Sequence, residues 1–104
     1  MPSLAVQIVR FVDEHQPGFI ECQFQDAHGC VHVVVEKVPV ITAEDLRANS
    51  TYPRPGAIAC TVEKEYKDPA GRSLVTVSTE LPWHVESSTG QTRFELLSWQ
   101  VVGR

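Results

Sequence analysis

The stretch Ile20–Val35, IECQFQDAHGCVHVVV, decides the fold class. Residues 20 to 25 alternate apolar and polar without a fault, the period-two signature of a strand with one buried face. Asp26-Ala27-His28-Gly29 follows, aspartate first and glycine last, as a type I turn requires, and then Val31-His32-Val33-Val34-Val35. A four-residue connection predicts Phe24 opposite Val31, Cys22 opposite Val33 and Ile20 opposite Val35, all six on the core side. A register one residue longer sets Phe24 against His32 and Ile20 against Glu36. That draws charge inward, so the hydrophobic pattern selects the shorter one. Cys22 then points inward and Cys30 outward, and the metal-like spacing Cys22, His28, Cys30, His32 cannot converge on one ion.

The same reasoning extends outward. Around Asp68-Pro69-Ala70-Gly71, a second type I turn signature, the flanking strands pair Val62 with Val77 and Cys60 with Thr79, leaving Glu63 and Thr76 in solvent. Around Ser87-Ser88-Thr89-Gly90, Val85 pairs with Thr92 and Trp83 with Phe94, placing His84 beside Arg93 on the outer face. Three apolar patterns change phase: Leu4-Val6-Ile8 into Val9-Phe11, Val35 into Val38-Val40, and Leu96 into Leu97-Trp99. Each reads as a β-bulge that coils its strand. Thr42-Ala43-Glu44-Asp45-Leu46 carries a helical cap signal worth one turn. The expected order is three strands, a crossover of about fifteen residues, then four strands. Bent strands in a chain of this size predict one domain over residues 1–104, a small antiparallel β-barrel of about six to seven strands with Greek-key-like closure. A β-sandwich is the alternative.

Composition narrows the function classes. The 104 residues can enclose a single core without a disulfide or metal staple. With 21% charged residues and a net charge of -4, the chain lacks the clustered cations that grip phosphate backbones, so nucleic acid is not the expected partner. Three cysteines do not close a disulfide framework and read as packing residues of a reducing compartment, which makes the cytoplasm the expected location. No signal peptide is visible, and the longest apolar run, Ala57–Cys60, is four residues, so no membrane is expected.

No catalytic constellation, metal set or cofactor motif emerges. Cys60 falls among small apolar residues and reads as a packed thiol. His15, His28, His32 and His84 fall at strand ends, a turn tip and outward positions, and read as solvated. Glycines stand singly at turns, so no phosphate loop exists. Two segments exceed what a connection requires. In STYPRPGAIAC, Ser50–Cys60, the prolines stiffen the crossover and Pro55-Gly56 suits a type II turn, but Tyr52 and Arg54 are residue types enriched in interface hot spots. In Leu81-Pro82-Trp83-His84-Val85-Glu86, Trp83 is expected first to fill the core opposite Phe94, with a binding surface as the alternative.

EKVPV at 36–40, YPRPGAIAC at 52–60 and DPAGRSLVTVSTELPWHVESSTGQTRFE at 68–95 resemble a group of short bacterial all-β proteins without an assigned activity. The resemblance spans most of the chain and implies a small bacterial cytosolic β protein, with no catalytic residues. The strand order is also similar to the small barrels appended to translation GTPases, an analogy of architecture that carries no function.

These observations predict a non-enzymatic interaction module that binds a protein partner through Tyr52, Arg54, Trp83, His84, Glu86 and Arg93, in an immunity, accessory or subunit role. Self-association through a strand edge is compatible with it. A small-molecule-binding barrel or weak hydrolase using His84, Glu86 and Arg93 is the second expectation, and oligonucleotide binding the last.

Overall fold

Three connections are built from one turn chemistry in the computed structural model, which describes residues 1–104. In Asp26–Cys30, Asp68–Arg72 and Ser87–Gln91, a side-chain oxygen of the first residue accepts the N–H of the fifth, at 3.0, 2.8 and 3.1 Å. The fourth residue is a glycine at φ 84°, 84° and 80°, whose N–H donates to the first residue's carbonyl. A type I turn followed by a left-handed glycine adds a bulge residue to the loop, so each connection spans five residues.

That extra residue overturns the register expected for the first hairpin. Strand β1 covers Ser3–Asp13, β2 Phe19–Gln25 and β3 Val31–Lys37, and β2 pairs with β3 as Phe24 with His32, Cys22 with Val34 and Ile20 with Glu36. Local hydrogen bonding offsets the expected cost of burying a histidine. His32 Nε2 lies 2.8 Å from Asp26 Oδ2, with each side chain 11% exposed, and the ring packs against Phe24 and Phe94. Among the valines of β3 only Val34 is fully buried, while Val31 and Val35 are exposed. His32 is therefore part-buried and paired, contrary to the expectation of a solvated histidine.

After β3 the chain forms a helical turn, α1, Val38–Ile41, where a bulge was expected. Pro39 occupies its first turn, where a missing N–H costs no hydrogen bond. Thr42, expected to start a helix, instead ends this one: its N–H donates to the Val38 carbonyl at 3.0 Å. The crossover then delivers strand β4, Arg54–Ala59. Pro55 and Gly56 sit inside this strand, opposite Gln7 and Val6, and do not form a turn. Gly56 is required there, because a Cβ would lie 2.7 Å from Ile41 Cγ2 and 2.9 Å from Ile8 Cδ1. α1 closes over the sheet at this point.

Strand β5, Thr61–Lys67, pairs with β6, Ser73–Ser78, through the second hairpin. A bulge at Glu63, between Val62 and Lys64, absorbs the extra loop residue and restores the expected pairing of Val62 with Val77. The third expected hairpin does not form. Strand β7, Arg93–Leu97, pairs instead with β6, Val77 facing Phe94. Strand β6 offers β7 a full ladder, whereas Leu81-Pro82 lacks one N–H and the segment turns there. The phase change after Leu96 is a 3-10 turn, Ser98–Gln100, that leads into β8, Val101–Val102. Only the bulge in β1, between Ile8 and Arg10, is found where expected.

The result is an all-β fold of two antiparallel sheets, one ordered β3-β2-β1-β4 with β8 beside the start of β1, the other β5-β6-β7. The expected barrel is not formed. The first hairpin and β7 meet at isolated bonds, such as Ala27 N–H to Glu95 O at 2.9 Å, where closure needs a continuous ladder. Both sheets contribute to one core, including Leu4, Ile8, Ile20, Cys22, Ile58, Val75, Val77 and Leu96. Cys60 and Thr79, expected to pair across strands, are both buried, but no ladder joins them.

The opposite face of the larger sheet alternates with these core positions. It presents Val31, Val33 and Val35 from β3, Gln23 and Gln25 from β2, Ser3, Ala5 and Gln7 from β1, and Pro55, Ala57 and Ala59 from β4, all partly or well exposed. No helix is long and apolar enough to cross a membrane.

Candidate functional site

The six residues singled out from the sequence occupy three places. Tyr52 and Arg54 fasten the crossover. The Tyr52 ring packs on the core and its hydroxyl donates to the Arg47 carbonyl at 2.7 Å. The Arg54 guanidinium pairs with Glu44 and donates to the Thr51 carbonyl at 3.3 Å, while its buried Nε lacks a partner. Both side chains are thus engaged within the chain. Arg93, on β7, donates to Glu63 at 2.6 and 3.1 Å, and this hydrogen bonding holds the Glu63 carboxyl below its ordinary range. No hydrogen bond or ion pair connects Arg93 with His84 or Glu86.

Trp83, His84 and Glu86 share the third place, a loop rooted in the core and open at its tip. Its root is Thr79, 1% exposed, and Val85, also 1% exposed. The Val85 N–H donates to the Thr79 carbonyl at 2.9 Å and the Thr79 hydroxyl donates to the Val85 carbonyl at 2.6 Å. These reciprocal bonds pinch the chain shut, so the five residues between them stand out from the surface. Leu81 is 64% and Trp83 60% exposed, with Pro82 exposed between them. Trp83 therefore does not fill the core opposite Phe94, as the sequence had suggested. His84 holds a left-handed backbone, φ 52°, which costs a non-glycine residue on the order of 1 kcal/mol. Such strain persists only where the surrounding structure imposes it. Its ring Nε2 lies 2.8 Å from Glu86 Oε1, and both side chains are open to water. A histidine–carboxylate pair in that setting lacks the desolvation that general-base catalysis uses.

Sequence reasoning missed a second cluster at the tip of the first hairpin. Besides the Asp26–His32 pair, His28 Nε2 lies 2.5 Å from Glu95 Oε1 on β7, and Arg72 donates from Nη1 to the Ala27 carbonyl at 3.0 Å. Burial pushes the Asp26 carboxyl up, but the His32 hydrogen bond and the Cys30 and His28 N–H groups together hold it below its ordinary value. The cluster joins the two sheets and contains no hydroxyl or thiol placed as a nucleophile on His32. Its signal in the sequence was the aspartate six residues before a histidine, readable only once the loop length is known. The thiols have the expected exposure, Cys30 for a different reason: Cys22 is buried and pushed up to about 12 by burial, Cys60 is buried and raised by the same cause, and Cys30 is exposed because it ends the turn before β3, not because of the strand parity expected. No group of three or more metal-ligating side chains converges.

No protein-family model matches the chain, and no curated protein or solved structure does so. Functional interpretation rests on the geometry.

Proposed function

We propose that this chain is a non-enzymatic interaction module, carried on a sandwich-like scaffold, that binds a protein partner through the projecting loop Leu81–Glu86. One observation carries the reading: a leucine, a proline and a tryptophan stand together in solvent on a loop whose root is buried and reciprocally hydrogen-bonded. Scattered exposed apolar residues are ordinary, whereas a rigidly presented cluster is the surface feature from which hot spots are made. The pinched root limits the ordering entropy that binding must offset. Glu80 and Glu86 flank the apolar tip, so the complementary surface is an apolar pocket with a neutral or basic rim. An immunity, accessory or subunit role in the cytoplasm of a bacterium is consistent with such a device.

The test compares tagged wild type with the Leu81→Ser/Trp83→Ser double variant in affinity capture from bacterial lysate, quantified by mass spectrometry. Both changes fall on exposed positions, so matched thermal melts are expected. The reading requires a defined protein that is enriched on wild type and falls about tenfold or more on the variant. Identical captured sets, or an absence of enriched protein, would overturn it.

A further inference from the structure

The outer face of the larger sheet runs across β3, β2, β1 and β4 and, from the Val33 row to the Ser3–Ala59 pair, exposes valine, glutamine, alanine, serine and proline without one charged side chain. In a chain that is 21% charged, such a gap is selective. Charge returns in the next row, where Glu21 faces outward beside Val35 and accepts from Arg10 at 2.9 Å. Antiparallel sheets with one solvated face ordinarily alternate apolar-in with charged or polar-out, and the valines on the outer side of β3 depart from that alternation.

The face is also contoured. Trp99, 75% exposed, stands beside the outward Ala5, Gln7, Gln23 and Gln25 and walls a groove of about 300 Å³ with them. Gln100 fixes this wall: its side-chain amide donates to the Gln25 carbonyl at 2.7 Å and its Oε1 accepts the Leu97 N–H at 2.8 Å. An indole therefore stands beside an open recess, which Asp26 also lines.

We infer that this face is where a second copy of the chain packs, outer sheet against outer sheet, with Trp99 of each copy seated in the groove of the other. Three arguments select this occupant. A face whose charges are confined to the Arg10–Glu21 pair at one end and to Asp26, paired with His32, at the groove offers little grip to a polyanion or to a strongly basic or acidic protein. Laid against itself about a two-fold axis, its uncharged centre brings no like charges together, although the molecules as wholes, each at -4, repel. The area is also adequate: four strands about 4.8 Å apart and about five residues long, with the Trp99 ring, amount to roughly 450–500 Å² per copy. A symmetric pair then buries close to ~1,000 Å², in the size range of weak, transient interfaces. The inference concerns a different surface from the Leu81–Glu86 loop and stands independently of what that loop binds.

Sedimentation from about 1 to about 200 µM tests it. Wild type is expected to pass from monomer to dimer within that range. Gln23→Lys, which sets two ammonium groups into the pair, and Trp99→Ser, which removes an exposed ring without touching the core, should each weaken association roughly tenfold or more with unchanged thermal melts. Leu81→Ser/Trp83→Ser should leave it unchanged. A wild type that stays monomeric throughout overturns the inference. So does a dimer indifferent to both face variants, or one lost only with the loop variant.

Discussion

Gly56 offers the sharpest test of whether the Tyr52–Gly56 segment is structural. A Cβ there would stand 2.7 Å from Ile41 Cγ2, 2.9 Å from Ile8 Cδ1 and 3.0 Å from Ile8 Cγ1, whereas ordinary carbon contacts begin near 3.4 Å. Ile8 is fully buried and Ile41 3% exposed, so neither can swing into solvent, and α1 must lift by about 0.5 Å or more. Overpacking of this kind costs about 1–3 kcal/mol. Removing a glycine from the unfolded chain returns about 0.4–1 kcal/mol. Gly56→Ala should therefore destabilise the protein by about 1–2 kcal/mol, which for a domain near 100 residues lowers Tm by roughly 4–15 °C. Urea denaturation gives the same quantity as a fall in midpoint at constant slope. Ile41→Leu removes the offending Cγ2 at nearly constant volume, so the double variant should recover part of the loss, a coupling that a double-mutant cycle reads directly. A Gly56→Ala protein as stable as wild type, or a strictly additive double variant, would refute the close approach.

Asp26→Asn keeps an oxygen for the turn N–H groups but removes the carboxylate from His32, and should cost about 1–2 kcal/mol at pH 7. Because the folded Asp26 carboxyl lies below its ordinary value, its contribution is present above the unfolded value near 4 and is lost as pH falls through the folded one. The stability gap between wild type and variant should therefore narrow below about pH 4 in urea melts, and a gap that does not change with pH contradicts the pairing. Of the three thiols, Cys30 alone should react with a thiol reagent near pH 8 in the native state, with Cys22 and Cys60 joining only in denaturant. Equal native reactivity of all three would contradict the burial.

Much of the local chemistry was legible in the residues. Alternation in Ile20–Gln25 marked a strand, the aspartate–glycine tetrapeptides marked turns, and the inward Cys22 followed from parity alone, whereas Cys30 is outward because it ends the turn. The register of β3 was not legible, because parity scores hydrophobicity and His32 is a polar residue whose burial depends on Asp26 and on two phenylalanines, one of them 62 residues away. The turn type held the missing clue, since an aspartate that caps a fifth residue lengthens the loop. In the second hairpin the same error cancelled against the bulge at Glu63. The loop at Leu81–Glu86 was noticed, but its pairing was assigned to the wrong strand because β6 and β7 lie far apart in sequence.

The amino-acid sequence by itself determined that the chain forms antiparallel strands, where most of them turn, and which thiols pack. Those properties depend on contacts within a few residues, which period and turn chemistry encode. Only the tertiary structure decided that the sheets stay open, that Tyr52 and Arg54 are bound within the crossover, that Trp83 projects, and that the centre of the outer sheet face is free of charge. Each of these depends on which strands become neighbours, a choice made by competition among whole ladders that no local pattern records.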